Sequence, residues 1–146
     1  MLTNAPRPNN TVINFLKNLG LDQSKCKKVS TSGEVALKYL KSKYKALKFF
    51  HVGPPRDFDL FKSFEEFKVN NLDESDFIIC TGLYENFSKN LDYYKNLLKN
   101  KIDKKMVCTN PDLIVDRGSN REFCAGSVAK IFEDLGGEVE YFGKPY

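Results

Sequence analysis

Short apolar runs, each closed by glycine or proline and separated by stretches of helical periodicity, constrain this chain most. Residues 46–53, 76–82, 105–111 and 139–142 read as strands, with a further short one at 64–69. Residues 11–19 carry apolar side chains at helical spacing, with Asn9 or Asn10 as cap and Gly20 as stop. Thr31 and Glu34 have the spacing of a capping box, and Val35, Ala36, Tyr39 and Leu40 continue that helix. Residues 87–98 and 125–135 complete the helical set. Strands separated by helices of roughly ten residues need parallel β-α-β crossovers, so the pattern predicts an α/β protein. Ligands of such sheets bind in the loops beyond the carboxyl ends of the strands. Three loops of that kind are legible: Thr3-Asn4, Thr109-Asn110-Pro111-Asp112 and Gly143-Lys144-Pro145.

Composition narrows the class further. At 146 residues and 41% hydrophobic content the chain suits one domain-sized core, and 29% charged residues predict a soluble protein. No run approaches the ~20 apolar residues of a membrane span, and no secretory leader is visible. Cys26, Cys80, Cys108 and Cys124 form no C-x-x-C pair and only His51 could join them, so reduced structural cysteines and a cytoplasmic location are expected. His51 itself reads as a packed strand-end residue. The net charge of +4 is spread over lysine-rich surface without a reading motif, which argues against a nucleic-acid role. Arg117, Arg121 and Lys130 read as solvated surface cations.

Several segments, taken in order, resemble subfamily IIA of the haloacid-dehalogenase (HAD) superfamily, which contains mostly phosphatases. Leu2-Thr3-Asn4-Ala5-Pro6-Arg7-Pro8 resembles the second motif of that family, and Thr31-Ser32-Gly33-Glu34 the approach to its cap. The segments 76–84 and 108–112 resemble cap strands with their loops, Cys124-Ala125-Gly126-Ser127 the helix before the third motif, and Gly143-Lys144-Pro145 that motif. The resemblance implies a C2-type cap module with remnants of the Rossmannoid core at both termini. Residues 1–28 would be one remnant, 29–136 the α/β cap and 137–146 the other. It further implies that Thr3, Asn4 and Lys144 bind phosphate, that Asn110 and Asp112 face the substrate, and that the complete family uses Mg2+. Asn110-Pro111-Asp112 is also a turn-forming sequence on its own terms.

The departures bear on activity. The family's first motif, Asp-x-Asp-Gly, supplies the nucleophile and the acid/base, and its fourth, a Gly-Asp type, helps hold the metal. Neither occurs here. Asp57-Phe58-Asp59 has the right spacing but follows Gly-Pro-Pro-Arg and precedes no glycine, so it reads as a loop or helix start. The expectation is a cap that carries loosely held strand stubs, holds no metal tightly and lacks a catalytic aspartate. Three functions remain open: a fragment of a Mg-dependent phosphomonoester hydrolase that is inactive alone, half of a split phosphatase completed by another chain, or a non-catalytic module binding a small phosphorylated metabolite.

Overall fold

The computed structural model describes residues 1–22, 24 and 28–146, with Arg117 described by its backbone alone. Cys26 and the Arg117 side chain therefore lie outside the described residues. The elements in chain order are β1 (Leu2–Thr3), α1 (Asn9–Asn18), β2 (Ser30–Thr31), α2 (Ser32–Lys43), β3 (Phe49–Val52), β4 (Lys68–Val69) and β5 (Phe77–Cys80). They continue with α3 (Leu91–Leu98), β6 (Lys105–Cys108), β7 (Ile114–Arg117), β8 (Asn120–Phe123), α4 (Ala125–Asp134) and β9 (Glu138–Tyr141).

Five strands make one parallel sheet in the order β4-β3-β5-β6-β9, as the strand-helix alternation requires. The two faces divide by the period of two along each strand. Ile78, Cys80, Met106 and Cys108 pack against Tyr94 and Leu98 of α3 and Val128 and Phe132 of α4. Phe49, Phe77, Ile79 and Val107 pack on the other side with Leu40 of α2 and with Leu60 and Phe61. Burial on both faces explains why these strands read as unbroken apolar runs. Register pairs Val52 with Cys80, Cys80 with Cys108 and Cys108 with Tyr141, so four strand ends finish level and their loops open on one edge.

Several elements differ from the sequence reading. The strand expected at 64–69 shrinks to Lys68–Val69, because Pro55–Phe67 forms 3-10 turns broken at Phe64 and buries Leu60 and Phe61. The helix expected from residue 87 starts at Leu91, where the Asn90 side chain accepts from the Tyr93 amide at 3.1 Å; Glu85–Phe87 is a separate 3-10 turn. Neither Asn9 nor Asn10 caps α1; Pro8 holds that position without a side-chain bond. The Asn9 Oδ1 instead accepts from the Thr31 amide at 2.9 Å. Thr31 caps α2 as expected, accepting from the Glu34 amide at 3.0 Å, but the reciprocal arm of Glu34 reaches the Asn9 amide at 3.3 Å. The strand at 139–142, expected as a loosely held stub, pairs instead with β6 as the edge of the large sheet. The antiparallel hairpin β7–β8 was not anticipated.

Candidate functional site

The loops at the level strand ends enclose a cavity of about 1010 Å3. Its wall includes Thr3 and Asn4 from the N-terminal segment, Asp57 and Thr81 from the loops after β3 and β5, and Asn110 and Asp112 from the loop after β6. The site thus lies where a parallel sheet leaves room for a ligand.

Asn4 is the joint of this arrangement. Its Nδ2 donates to Asp112 Oδ1 at 2.8 Å and to the Lys144 carbonyl at 3.0 Å, while its Oδ1 accepts from the Lys144 amide at 2.7 Å. One amide side chain therefore ties the N-terminal segment to two loops more than a hundred residues away. The backbone permits this because residue 143 is glycine. At a φ of +131°, a Cβ there would sit 2.8 Å from Asn4 Oδ1 and 2.6 Å from the Pro111 ring. Asp112 is held by an Asx turn as well, its amide donating to Asn110 Oδ1 at 3.1 Å. The turn-forming reading of Asn-Pro-Asp and a place in the cavity wall are therefore compatible.

Thr3 lines the cavity and pairs through β1 with Thr31 of β2. Lys144 is brought beside Asn4 by its backbone, and its side chain is exposed. Among the other cations, Arg121 pairs with Asp116 and Lys130 with Asp134 on the surface, in line with their sequence reading. His51 is buried and packed; burial, aided by the nearby Lys68 charge, lowers its pKa to about 4, so it is neutral. Cys80, Cys108 and Cys124 are buried, and burial pushes the Cys108 thiol up to about 12, which keeps it an unreactive core residue.

Asp57 is the residue that sequence reasoning set aside too quickly. It opens a 3-10 turn, as expected, yet it is 5% exposed, lines the cavity and pairs with Arg7 at 3.6 Å. The signal for it was the Gly53-Pro54-Pro55 turn after β3, which fixes a following side chain at a strand end. The β7–β8 hairpin, which contributes Val115 and Phe123 to the wall, also had a signal. Gly118-Ser119 is a two-residue connection of the Gly-X kind that suits a tight hairpin turn.

Among the described residues no three His, Cys, Asp or Glu side chains come together in a group that would hold a metal ion. The described residues do not by themselves fit a magnesium site. No described helix is long and apolar enough to cross a membrane.

A hydrolase of the haloacid dehalogenase-like family from Brucella suis 1330 superposes on the whole chain with a TM-score of 0.89 at 29% identity, over 54% of its own length. The chain is a member of the haloacid-dehalogenase-like superfamily. The 4-nitrophenylphosphatase of Thermotoga maritima matches 97% of this HAD-like chain and 53% of its own, with a TM-score of 0.68 at 20% identity. A possible sugar phosphatase of the HAD superfamily from Cytophaga hutchinsonii matches 98% of this chain and 54% of its own, with a TM-score of 0.72 at 20% identity. The last two likenesses concern the fold. The HAD-like chain thus spans about half the length of the structures it matches. No protein-family model and no curated protein matches it.

Proposed function

We propose that these residues form the phosphate-binding and leaving-group-facing part of a HAD subfamily IIA phosphomonoester hydrolase. The observation that carries this reading is the two-way bond between the Asn4 side chain and the Lys144 backbone, which unites segments 140 residues apart. They are the two segments that the family resemblance assigns to phosphate. In this reading Thr3 donates to a phosphoryl oxygen, Asn4 takes part by holding the cradle together through its bonds to Asp112 and Lys144, and the Lys144 ammonium offsets the phosphoryl charge. Donors so placed are worth a few kcal/mol each once a reacting group is present. Asn110 and Asp112 face the leaving group of a small phosphorylated metabolite. The nucleophilic and acid/base aspartates and the magnesium carboxylates belong to parts of the complete enzyme other than the residues described. The buried thiols of Cys80 and Cys108 suit a reducing, cytoplasmic setting.

Two measurements test it. The 146-residue chain should bind inorganic phosphate, with Thr3→Ala and Lys144→Ala each weakening binding, and should not hydrolyse an aryl phosphate with magnesium present. Turnover by this chain alone would refute the assignment of the missing chemistry. A second reading, completion by a separate chain, is favoured by the uncovered helix α1, of which no residue is buried. It expects turnover to appear when a chain carrying Asp-x-Asp-Gly and Gly-Asp segments is added. A non-catalytic binding module expects phosphate binding and no turnover under either condition.

A further inference from the structure

A second charged group faces the cavity with no role in the reading so far. Asp57 is buried and Arg7 is not: their side chains are 5% and 37% exposed, although both line the same cavity as Thr3. The acid is the anchored member. Its amide closes a turn onto the Pro54 carbonyl at 3.1 Å, and its carboxylate accepts from the Thr81 hydroxyl. Thr81 is fixed in turn by His51, whose Nε2 lies 2.8 Å from Thr81 Oγ1 deep in the protein. Room for that contact depends on Gly53, where a Cβ would fall 2.0 Å from Thr81 Oγ1 and 2.8 Å from His51 Nε2. A glycine, a proline pair and a buried hydroxyl therefore all serve to fix one carboxylate in a cavity wall.

That carboxylate is costly to keep there. Burial outweighs the counter-effect of Arg7 and holds the Asp57 carboxyl above its ordinary range. Buried ion pairs contribute little net stability, so the pair is poorly explained as a fold-stabilising device. The paired atom on arginine is Nε, at 3.6 Å from Asp57 Oδ1. Asp57 is the one acidic partner of Arg7 among the described residues. A guanidinium offers five donors along more than one edge, so engagement at Nε leaves the Nη pair available for a planar oxyanion. The neighbouring pair Arg56–Glu85 differs, being exposed on both sides at 50% and 65%.

We propose that Arg7 is an oxyanion ligand of this cavity, held in place by Asp57 acting as a positioning residue. The inference rests on the phosphatase reading for its substrate class, a phosphorylated small molecule. The oxyanion is either the phosphoryl group itself or a carboxylate on the leaving group, and the same guanidinium edge fits both.

The test is an NMR titration of the chain with inorganic phosphate, glycerol 3-phosphate, 3-phosphoglycerate and glycerate, following the Arg7 Nε–Hε signal. That signal is expected to move with the probe whose oxyanion Arg7 holds, and this needs no variant. Arg7→Gln should weaken that probe about tenfold, the scale of one lost charge-assisted bond. Arg7→Lys should restore part of the loss, and Asp57→Asn should weaken binding less than Arg7→Gln does. Equal weakening of phosphate and glycerol 3-phosphate assigns the phosphoryl group; weakening confined to 3-phosphoglycerate and glycerate assigns a leaving-group carboxylate. The proposal is overturned if no probe moves the Arg7 signal, or if folded Arg7→Gln binds all four within about twofold of the parent. If Thr3→Ala and Lys144→Ala leave phosphate binding unchanged while Arg7→Gln weakens glycerate, the phosphatase reading fails and the role of Arg7 stands.

Discussion

Helices α1 and α4 are each ten residues long and both are amphipathic, yet they have opposite fates. Helix α4 buries six residues, with Phe132 fully enclosed between the sheet and α3. Helix α1 buries none; Phe15 on it and Leu19 at its C-cap are 58% and 68% exposed. The same periodicity in sequence produces a core element where a sheet stands behind it and a surface element where none does. Burial is a property of the partner as much as of the helix. The contrast extends to the strands, since β9 joins the five-stranded sheet while β1 is a two-residue strand paired only with β2.

The sharpest way to break this comparison is a pair of truncations. Phe132→Ala should lower unfolding free energy by about 3–5 kcal/mol, as large-to-small core changes do. A loss below about 1 kcal/mol in denaturant titration would mean that the sheet is not the stabilising body. Next in size is the pH response of the sheet region. His51 is held near 4 against 6.5 in the unfolded chain, so only the unfolded state gains the proton between those values. Its contribution is complete above about pH 6.5, is lost as pH falls toward 4, and reaches about 3 kcal/mol in full. Asp57 works in the opposite sense, since its raised carboxyl takes a proton in the folded state first. His51→Gln should flatten the stability profile between pH 6.5 and 4, and an unchanged profile would show that this imidazole is not the group responsible.

A smaller effect should separate the two regions without unfolding either. Gly143→Ala forces a Cβ onto Asn4 Oδ1 and the Pro111 ring. It should cost about 1–3 kcal/mol and speed exchange of the Lys144 amide, while the β5 and β6 amides keep their protection. Uniform loss of protection would show that the N-terminal joint and the sheet open together. The smallest expected change is Phe15→Ala, within about 0.5 kcal/mol, because so exposed a ring has little burial to lose. A loss near that of Phe132→Ala would erase the distinction between the helices.

The sheet was legible because burial on two faces demands unbroken apolar runs, and Phe77 to Cys80 and Met106 to Cys108 supply them. The Thr3-Asn4 and Gly143-Lys144 segments stood out through resemblance, and their convergence through Asn4 required the fold. The partner of β9 was missed because its run alternates Glu138, Val139, Glu140 and Tyr141, a pattern that announces a strand but not its neighbour. Asp57 was missed for a related reason: a dipeptide spacing was compared with a motif, while its placement depends on Thr81, His51 and Gly53, which only tertiary contact unites. The Gly118-Ser119 hairpin lay in plain local signals that the strand-helix rhythm overshadowed.

Four strands that finish flush turn one rim of the protein into a socket with interchangeable fittings. Whatever chemistry the rim selects, lengthening or trimming a single loop would retune it while the ladder beneath stays in step. Lineages carrying this scaffold can therefore drift in what they recognise faster than in how they fold.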